Sequence, residues 1–251
     1  MPKIISIHSF RGGTGKSNLA ANIAALLAQE GQRVGVIDTD IQSPGIHVLF
    51  GLVGGKIDHS LNDYLWGRCT IGQAAHDVTA SLSGNMPGQL FLIPSSIQAD
   101  EIVNVLREGY DVSKLTQGFR NLIKDLSLDV LIIDTHPGLN EETLFSIAIS
   151  HTLTIVMRPD QQDYEGTGVT VEVARSLDVP RMLMVVNKIP SAFDTAQVKT
   201  RVEQTFNCEV MAVLPHSEEM MNLASAGIFV LRHPGHPFTA MLKEVADKLV
   251  A

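Results

Sequence analysis

Phe10-Arg11-Gly12-Gly13-Thr14-Gly15-Lys16-Ser17-Asn18 stands between a β-branched opening run and a long apolar helical pattern. Glycines at 12, 13 and 15 let backbone N–H groups turn inward without Cβ clashes, Lys16 can reach β and γ phosphates, and the Ser17 hydroxyl can ligate Mg²⁺. The first turn of the following helix adds unpaired donors and the positive end of its dipole. The stretch reads as a phosphate cradle formed by Gly12, Gly13, Thr14, Gly15, Lys16, Ser17 and Asn18. The strict pattern G-x-x-x-x-G-K-[ST] is not met, because the position five before Gly15 is Phe10. A basic residue, Arg11, directly precedes the glycine pair.

On either side of this loop, short β-rich runs alternate with helical patterns. The runs fall at 3–9, 33–38, 90–93, 129–134, 152–157, 181–187 and 209–214, and they are apolar on both faces. Continuous apolar strands separated by helices are the pattern of a parallel sheet covered on both sides. In the first helix, 15–30, Leu19, Ile23, Leu26 and Leu27 recur at helical spacing and Gly31 ends the element. Further helices are expected at 99–107, 113–126, 141–150, 161–177 and 195–206, with right-handed crossovers between parallel strands. The stretch 51–89 is irregular, with turn signals at Gly54-Gly55, Gly84-Asn85 and Pro87-Gly88 around two short helical patterns, and is expected to run over the sheet edge. The last pattern, 237–250, sets Phe238, Met241, Leu242, Val245 and Leu249 on one stripe and reads as a helix capping the core.

The chain has 251 residues, 45% of them hydrophobic, enough for one α/β domain spanning 1–251. A net charge of -8 gives no global positive field toward nucleic acid or anionic lipid. Cys69 and Cys208 form no C-x-x-C pair, which speaks against a disulfide framework or a zinc or iron–sulfur site and fits a reducing compartment. The absence of a long apolar run leads to the expectation of a cytoplasmic protein without a stable membrane anchor.

Two further runs end in acids. Val34-Gly35-Val36-Ile37-Asp38-Thr39-Asp40 finishes with two carboxylates one residue apart, which strand alternation would point to one side. Asp129-Val130-Leu131-Ile132-Ile133-Asp134-Thr135-His136-Pro137-Gly138 again carries an Asp where the strand stops. Ligands of open α/β sheets gather at the carboxyl ends of strands, so Lys16, Asp38, Asp40 and Asp134 should converge on one rim. Such a rim offers Mg²⁺ oxygen ligands and waters held by carboxylates.

Together these motifs resemble the MinD/ParA group of deviant Walker-A ATPases, whose loop reads K-G-G-x-G-K-[ST] and whose later motifs are D-x-D and D-[ST]-P-x-G. The resemblance extends through Ser60-Leu61-Asn62-Asp63-Tyr64-Leu65-Trp66-Gly67, Leu92-Ile93-Pro94-Ser95-Ser96, Val185-Val186-Asn187-Lys188 and Val213-Leu214-Pro215. It implies a three-layer α/β/α P-loop NTPase fold with a mostly parallel twisted sheet, and ATP and Mg²⁺ as cofactors. It also implies site roles. Gly12 to Ser17 cradle the phosphates, Ser17 ligates Mg²⁺ with Asp38 and Asp134 holding its waters, Asp40 orients the attacking water, and Asn187 and Pro215 border the adenine. Arg11 stands where the family has its signature lysine, which crosses to the partner's nucleotide in the ATP-bound dimer, and its fork could act as a finger in trans. His136 replaces a usual proline and is expected to be a loop side chain and not a metal ligand.

The implied function is a slow, partner-stimulated ATP hydrolase working as an ATP-driven dimerisation switch that positions or partitions a cargo. The expected partners are a second copy when ATP is bound and a regulatory or cargo protein. Non-specific DNA would need a local basic patch, for which Arg175, Arg181, Lys199, Arg201 and Arg232 are candidates. Iron–sulfur carriers of this group need a C-x-x-C that is absent. The alternative is a metabolic enzyme of the same nucleotide fold that activates a carboxylate for ligation or synthesis. An NAD-binding loop is excluded, because G-x-G-x-x-G from Gly13 would need glycine where Asn18 stands.

Overall fold

The computed structural model describes residues 2–82 and 86–251, so the turn signal at Gly84-Asn85 lies outside the described residues. Among the described residues the strands are β1 (Lys3–His8), β2 (Arg33–Asp38), β3 (His76–Asp77), β4 (Gln89–Ile93), β5 (Val130–Asp134), β6 (Thr152–Met157), β7 (Met182–Ile189) and β8 (Glu209–Pro215). The helices are α1 (Lys16–Gln29), α2 (Ile46–Leu49), α3 (Leu61–Leu65), α4 (Ala99–Glu108), α5 (Ser113–Asp125), α6 (Glu141–Ala148), α7 (Gln161–Ser176), α8 (Thr195–Phe206), α9 (Glu218–Asn222), α10 (Phe229–Arg232) and α11 (Pro237–Val250).

One sheet results, in the order β3-β4-β2-β5-β1-β6-β7-β8. Every pairing is parallel except that of β3, which runs antiparallel to β4 at the edge. The strands read as unbroken apolar runs because both faces are covered. Val34, Val36, Leu90, Leu92, Val130 and Ile132 point into one core with α1, α10 and α11. Their neighbours Ile37, Phe91, Ile93, Leu131 and Ile133 point into a second core under α3, α4 and α5. A third core joins Leu153, Ile155, Met184 and Val186 to α7 and α8. These are the three layers and mostly parallel sheet that the sequence motifs imply.

Helix α1 is wedged between the sheet and the last helices. Its Leu19, Ile23, Leu26 and Leu27 are buried, and so are Ala20, Ala21, Ala24, Ala25 and Ala28, whose small side chains let neighbouring elements approach from both sides. The end of α1 also fixes the start of β4. A Cβ on Gly88 would lie 2.1 Å from the Gln32 carbonyl oxygen and 2.6 Å from that of Ala28, both backbone atoms with little room to yield. Gly88→Ala is therefore expected to destabilise the protein by about 3 kcal/mol through overpacking, read as a lowered midpoint in urea unfolding.

Candidate nucleotide-binding site

The strand order puts β1 between β5 and β6, with β2 on the far side of β5. The loops leaving β1, β2 and β5 therefore open on one rim, as ligand sites of such sheets do. After His8 the chain turns through the glycine loop into α1. Gly13 has φ 78° and Gly15 has φ 101°, left-handed values that favour glycine. A Cβ at Gly15 would also lie 2.6 Å from Asn187 Nδ2 and displace that side chain. Two side chains at the end of β7 hold the loop from outside. Asn187 Nδ2 donates to the Thr14 carbonyl at 2.8 Å, and Lys188 Nζ donates to that of Gly13 at 2.8 Å. Lys16 begins α1 as a buried residue.

The two strand-end acids meet as register partners, Asp38 of β2 beside Asp134 of β5. Both are buried, at 1% exposure each. Burial raises the Asp134 carboxyl to about 6, against the pull of the Lys16 ammonium and the Ser17 hydroxyl. Asp38 is also pushed well above its ordinary value, first by burial and then by the charge of Asp134. Asp38 Oδ2, Asp134 Oδ1 and Thr14 Oγ1 are buried without a hydrogen-bond partner. Orphaned acceptors of this kind are costly unless something occupies them. Two acceptor-rich oxygens beside a serine hydroxyl at a phosphate loop suit a hydrated Mg²⁺ held by Ser17 directly and by Asp38 and Asp134 through its waters. His8, fully buried at the end of β1, is kept neutral by burial and by Lys16, its imidazole lowered to about 3.

Asp40 lies beyond the end of β2, and the expected strand alternation does not reach it. Its N–H instead donates to Asp38 Oδ1 at 2.9 Å, and its side chain faces Ser43 and His136. There Asp40 Oδ1 accepts from Ser43 N–H and Ser43 Oγ, both at 3.1 Å, and meets His136 Nδ1 at 2.6 Å. His136 is thus a loop side chain on a carboxylate.

Arg11 points toward α7 in the same chain. Its Nη1 lies 3.4 Å from Asp163 Oδ1 and 3.5 Å from Asp160 Oδ1, and Arg158 Nη2 meets the same Asp163 oxygen at 3.2 Å. Phe10 is the neighbouring fastener. A Cβ on Gly166 of α7 would lie 2.0 Å from Phe10 Cδ1, so the ring that replaces the pattern's first glycine is seated on a glycine of α7.

Past the far end of the loop is a cavity of about 220 Å³ lined by Gly15, Asn18, Asn187, Pro215, Met220 and Phe238 among others. It brings together Asn187 and Pro215, the two residues assigned to the base by resemblance. Sequence reasoning missed Met220, Met221 and Phe238, which supply apolar surface there. Nothing in their residue types separates them from core positions.

The family described as ParA, NUBPL iron-transfer P-loop NTPase, matches residues 1–250. The chain belongs to the ParA family of P-loop NTPases. This ParA-family chain is similar to an uncharacterized ATP-binding protein of Methanocaldococcus jannaschii, 28% identical over 247 residues that make up 98% of this chain and 87% of that protein. It is also similar to an iron-sulfur cluster carrier protein of Pyrococcus furiosus, 23% identical over 261 residues covering 98% of this chain and 85% of the other. In fold it matches the septum site-determining protein MinD complexed with Mg-ADP from Pyrococcus horikoshii, at a TM-score of 0.81 and 18% identity over 99% of this chain and 96% of that one.

The two cysteines of this ParA-family chain pack against different cores. Cys69 packs against the core under α3 to α5 and Cys208 against the core under α7 and α8. Burial raises both thiols, Cys208 to about 11, which disfavours the thiolate that a metal requires. Several of the basic residues considered for DNA are engaged within the chain. Arg175 Nη2 donates to the Phe206 carbonyl at 2.6 Å, Arg181 Nη1 to that of Lys248 at 3.0 Å, and Arg201 lies over the Tyr164 ring at 5.2 Å. Among the described residues no helix is long and apolar enough to cross a membrane.

Proposed function

We propose that this chain is a Mg²⁺-dependent ATPase acting as an ATP-driven dimerisation switch that positions a cargo or partner protein in the cytoplasm. The observation that carries the reading is the convergence of the glycine loop, the orphaned oxygens of Asp38 and Asp134, and Asp40 on one rim. Gly12 to Ser17 hold the phosphates through backbone N–H groups and Lys16 offsets their charge. The chemistry supplied by bound Mg²⁺ is neutralisation of charge on the β and γ phosphates. Asp40 orients a water whose oxygen bonds to the γ phosphorus as the bond from that phosphorus to the bridging oxygen breaks. The electron pair leaves with ADP, and the water's proton leaves with the phosphate. Asn187, Pro215 and the apolar cavity take the adenine.

A switch needs contacts that differ between its states. Arg11 supplies one, because its exchange from Asp160 and Asp163 to a partner subunit's nucleotide would couple ATP binding to pairing. Arginine can make that exchange with its charge intact. The switch reading is preferred to the cluster-carrying role named for some relatives because the chain has no C-x-x-C pair, Cys69 and Cys208 instead packing against different cores.

Light scattering after size exclusion tests the switch. The Asp40→Ala protein is expected to dimerise with ATP and Mg²⁺ and to stay monomeric with ADP. A monomer under both conditions overturns the switch.

A further inference from the structure

The contact between His136 and Asp40 is unexplained by the phosphate loop, the metal donors or the base cavity. The two residues come from different strand ends, after β5 and after β2, and meet at 2.6 Å. Both side chains are largely enclosed, at 20% and 16% exposure, so the contact is sheltered from competing water.

The bond's directionality matters more than its strength. Three donors converge on Asp40 Oδ1, namely Ser43 N–H, Ser43 Oγ and His136 Nδ1. None of the hydrogen bonds among the described residues uses Oδ2. A carboxylate with one oxygen saturated and the other bare has a fixed plane and one oxygen left for a ligand. Ser43 belongs to Asp40's own loop and moves with it, so His136 is the donor that ties the carboxylate to the rest of the rim.

His136 is itself held by a rigid frame. The preceding residue, Thr135, donates from Oγ1 to the Ile7 carbonyl of β1 at 3.1 Å and meets buried His8 Nδ1 at 2.8 Å. The carbonyl of His136 accepts from Thr143 Oγ1 of α6 at 3.2 Å. Two residues on, Gly138 N–H donates to the Ser9 carbonyl at 3.1 Å, at the threshold of the glycine loop. The imidazole therefore stands on a segment referenced to β1, which also carries the phosphate loop.

We propose that His136 is a positioning residue for ATP hydrolysis, holding Asp40 Oδ1 so that Oδ2 is presented to the attacking water in register with the phosphate loop. The proposal rests on the ATPase reading above. Phosphoryl transfer depends chiefly on placement, and a small misplacement of a positioning group can cost about 10²-fold in rate. The ground-state contribution of one such bond is only about 1 kcal/mol, so folding and nucleotide affinity should barely change.

The test compares wild type, His136→Ala and His136→Asn, the last because an asparagine Nδ2 reaches about as far as the imidazole Nδ1. Single-turnover cleavage of ATP with Mg²⁺ is measured beside ATP affinity and thermal melting. His136→Ala is expected to lower the cleavage rate at least tenfold with affinity and melting unchanged, and His136→Asn to recover most of it. In an Asp40→Ala background, His136→Ala should produce no further fall, because the group it positions is gone. Equal cleavage in wild type and His136→Ala overturns the proposal, as does a further fall in the Asp40→Ala background or a failure of asparagine to rescue. Absence of cleavage by the wild type would instead remove the ATPase reading, a different and separately visible result.

Discussion

Asp38→Asn is expected to make the nucleotide-free protein more stable at neutral pH while abolishing its Mg²⁺-dependent nucleotide binding. Asp38 is buried beside Asp134 with one oxygen unpartnered, and the neighbouring carboxylates Asp134 and Asp40 both oppose its charge. What favours its ionised form is backbone N–H donation, from Asp40 among others, which cannot offset burial. An asparagine removes the charge and keeps an acceptor for the Asp40 N–H. Relief of a strained functional site commonly contributes about 0.5–2 kcal/mol, or a few degrees in Tm for a chain of this size. Asp134→Asn is the less clean variant, because Asp134 is attracted by the buried Lys16, which would lose that partner.

The pH dependence of this effect has a definite sign. The native Asp134 carboxyl takes up its proton near 6, whereas in the unfolded chain it waits until about its ordinary 3.8. Between those values the native state binds more protons, so this carboxyl's contribution to stability grows as pH falls through the window and its penalty is complete above it. His8 works oppositely. Its native value of about 3 lies below its ordinary 6.5, so the unfolded state takes the proton first and His8 removes stability as pH falls below 6.5. The gain from Asp38→Asn should accordingly be largest at pH 7.5 and shrink near pH 5, where the wild-type acid pair carries a proton. Calorimetry at both pH values, with and without Mg²⁺ and ATP, reads this directly. Ligand stabilises wild type by mass action and should leave the variant's Tm unmoved. A variant less stable than wild type at pH 7.5 without ligand refutes the account.

The parts of this molecule legible in its sequence are those where one physical requirement selects residue types. Strands β1, β2 and β4 to β8 stand out because burial on both faces demands unbroken apolar runs. The two-residue β3 carries no such pattern, and its pairing with β4 is decided by tertiary contact. Helices α2, α9 and α10 have four or five residues each, too few to show a period. At the candidate site, the left-handed turns at Gly13 and Gly15 and the strand-end pairing of Asp38 with Asp134 fall at positions where glycines follow one apolar run and acids end two others, so these were legible as a pattern. Met220 and Phe238 in the cavity beside Asn187 and Pro215 were not, because an apolar wall has the composition of a core. The contacts of Arg11 with Asp163 and of His136 with Asp40 join residues 152 and 96 positions apart, and only the fold shows them. Asp40 is the instructive failure. Its spacing from Asp38 suggested a shared strand face, but the strand stops and a backbone hydrogen bond turns the chain.

Gly15→Ala should cost the protein its nucleotide while leaving it folded. Gly15 sits at φ 101°, outside the region open to a residue with a Cβ, and holding alanine there costs about 1–3 kcal/mol. The new methyl would also meet Asn187 Nδ2 at 2.6 Å. That atom is the end of a side chain and can swing away, but in doing so it releases the Thr14 carbonyl it holds at 2.8 Å. Lost with it is about 1 kcal/mol of hydrogen bonding and the outer clamp on the loop. The strain can relax only by rotating the peptides on either side of Gly15, and on the proposed reading those carry N–H groups that hold the phosphates. A loop that relieves itself by turning its donors away should lose at least 100-fold in ATP affinity, about 2.7 kcal/mol. The sheet and cores do not depend on this turn, so circular dichroism should match wild type. Titration calorimetry of both proteins with ATP and Mg²⁺ checks the claim, and an unchanged affinity would mean that the left-handed turn at Gly15 does not set the cradle.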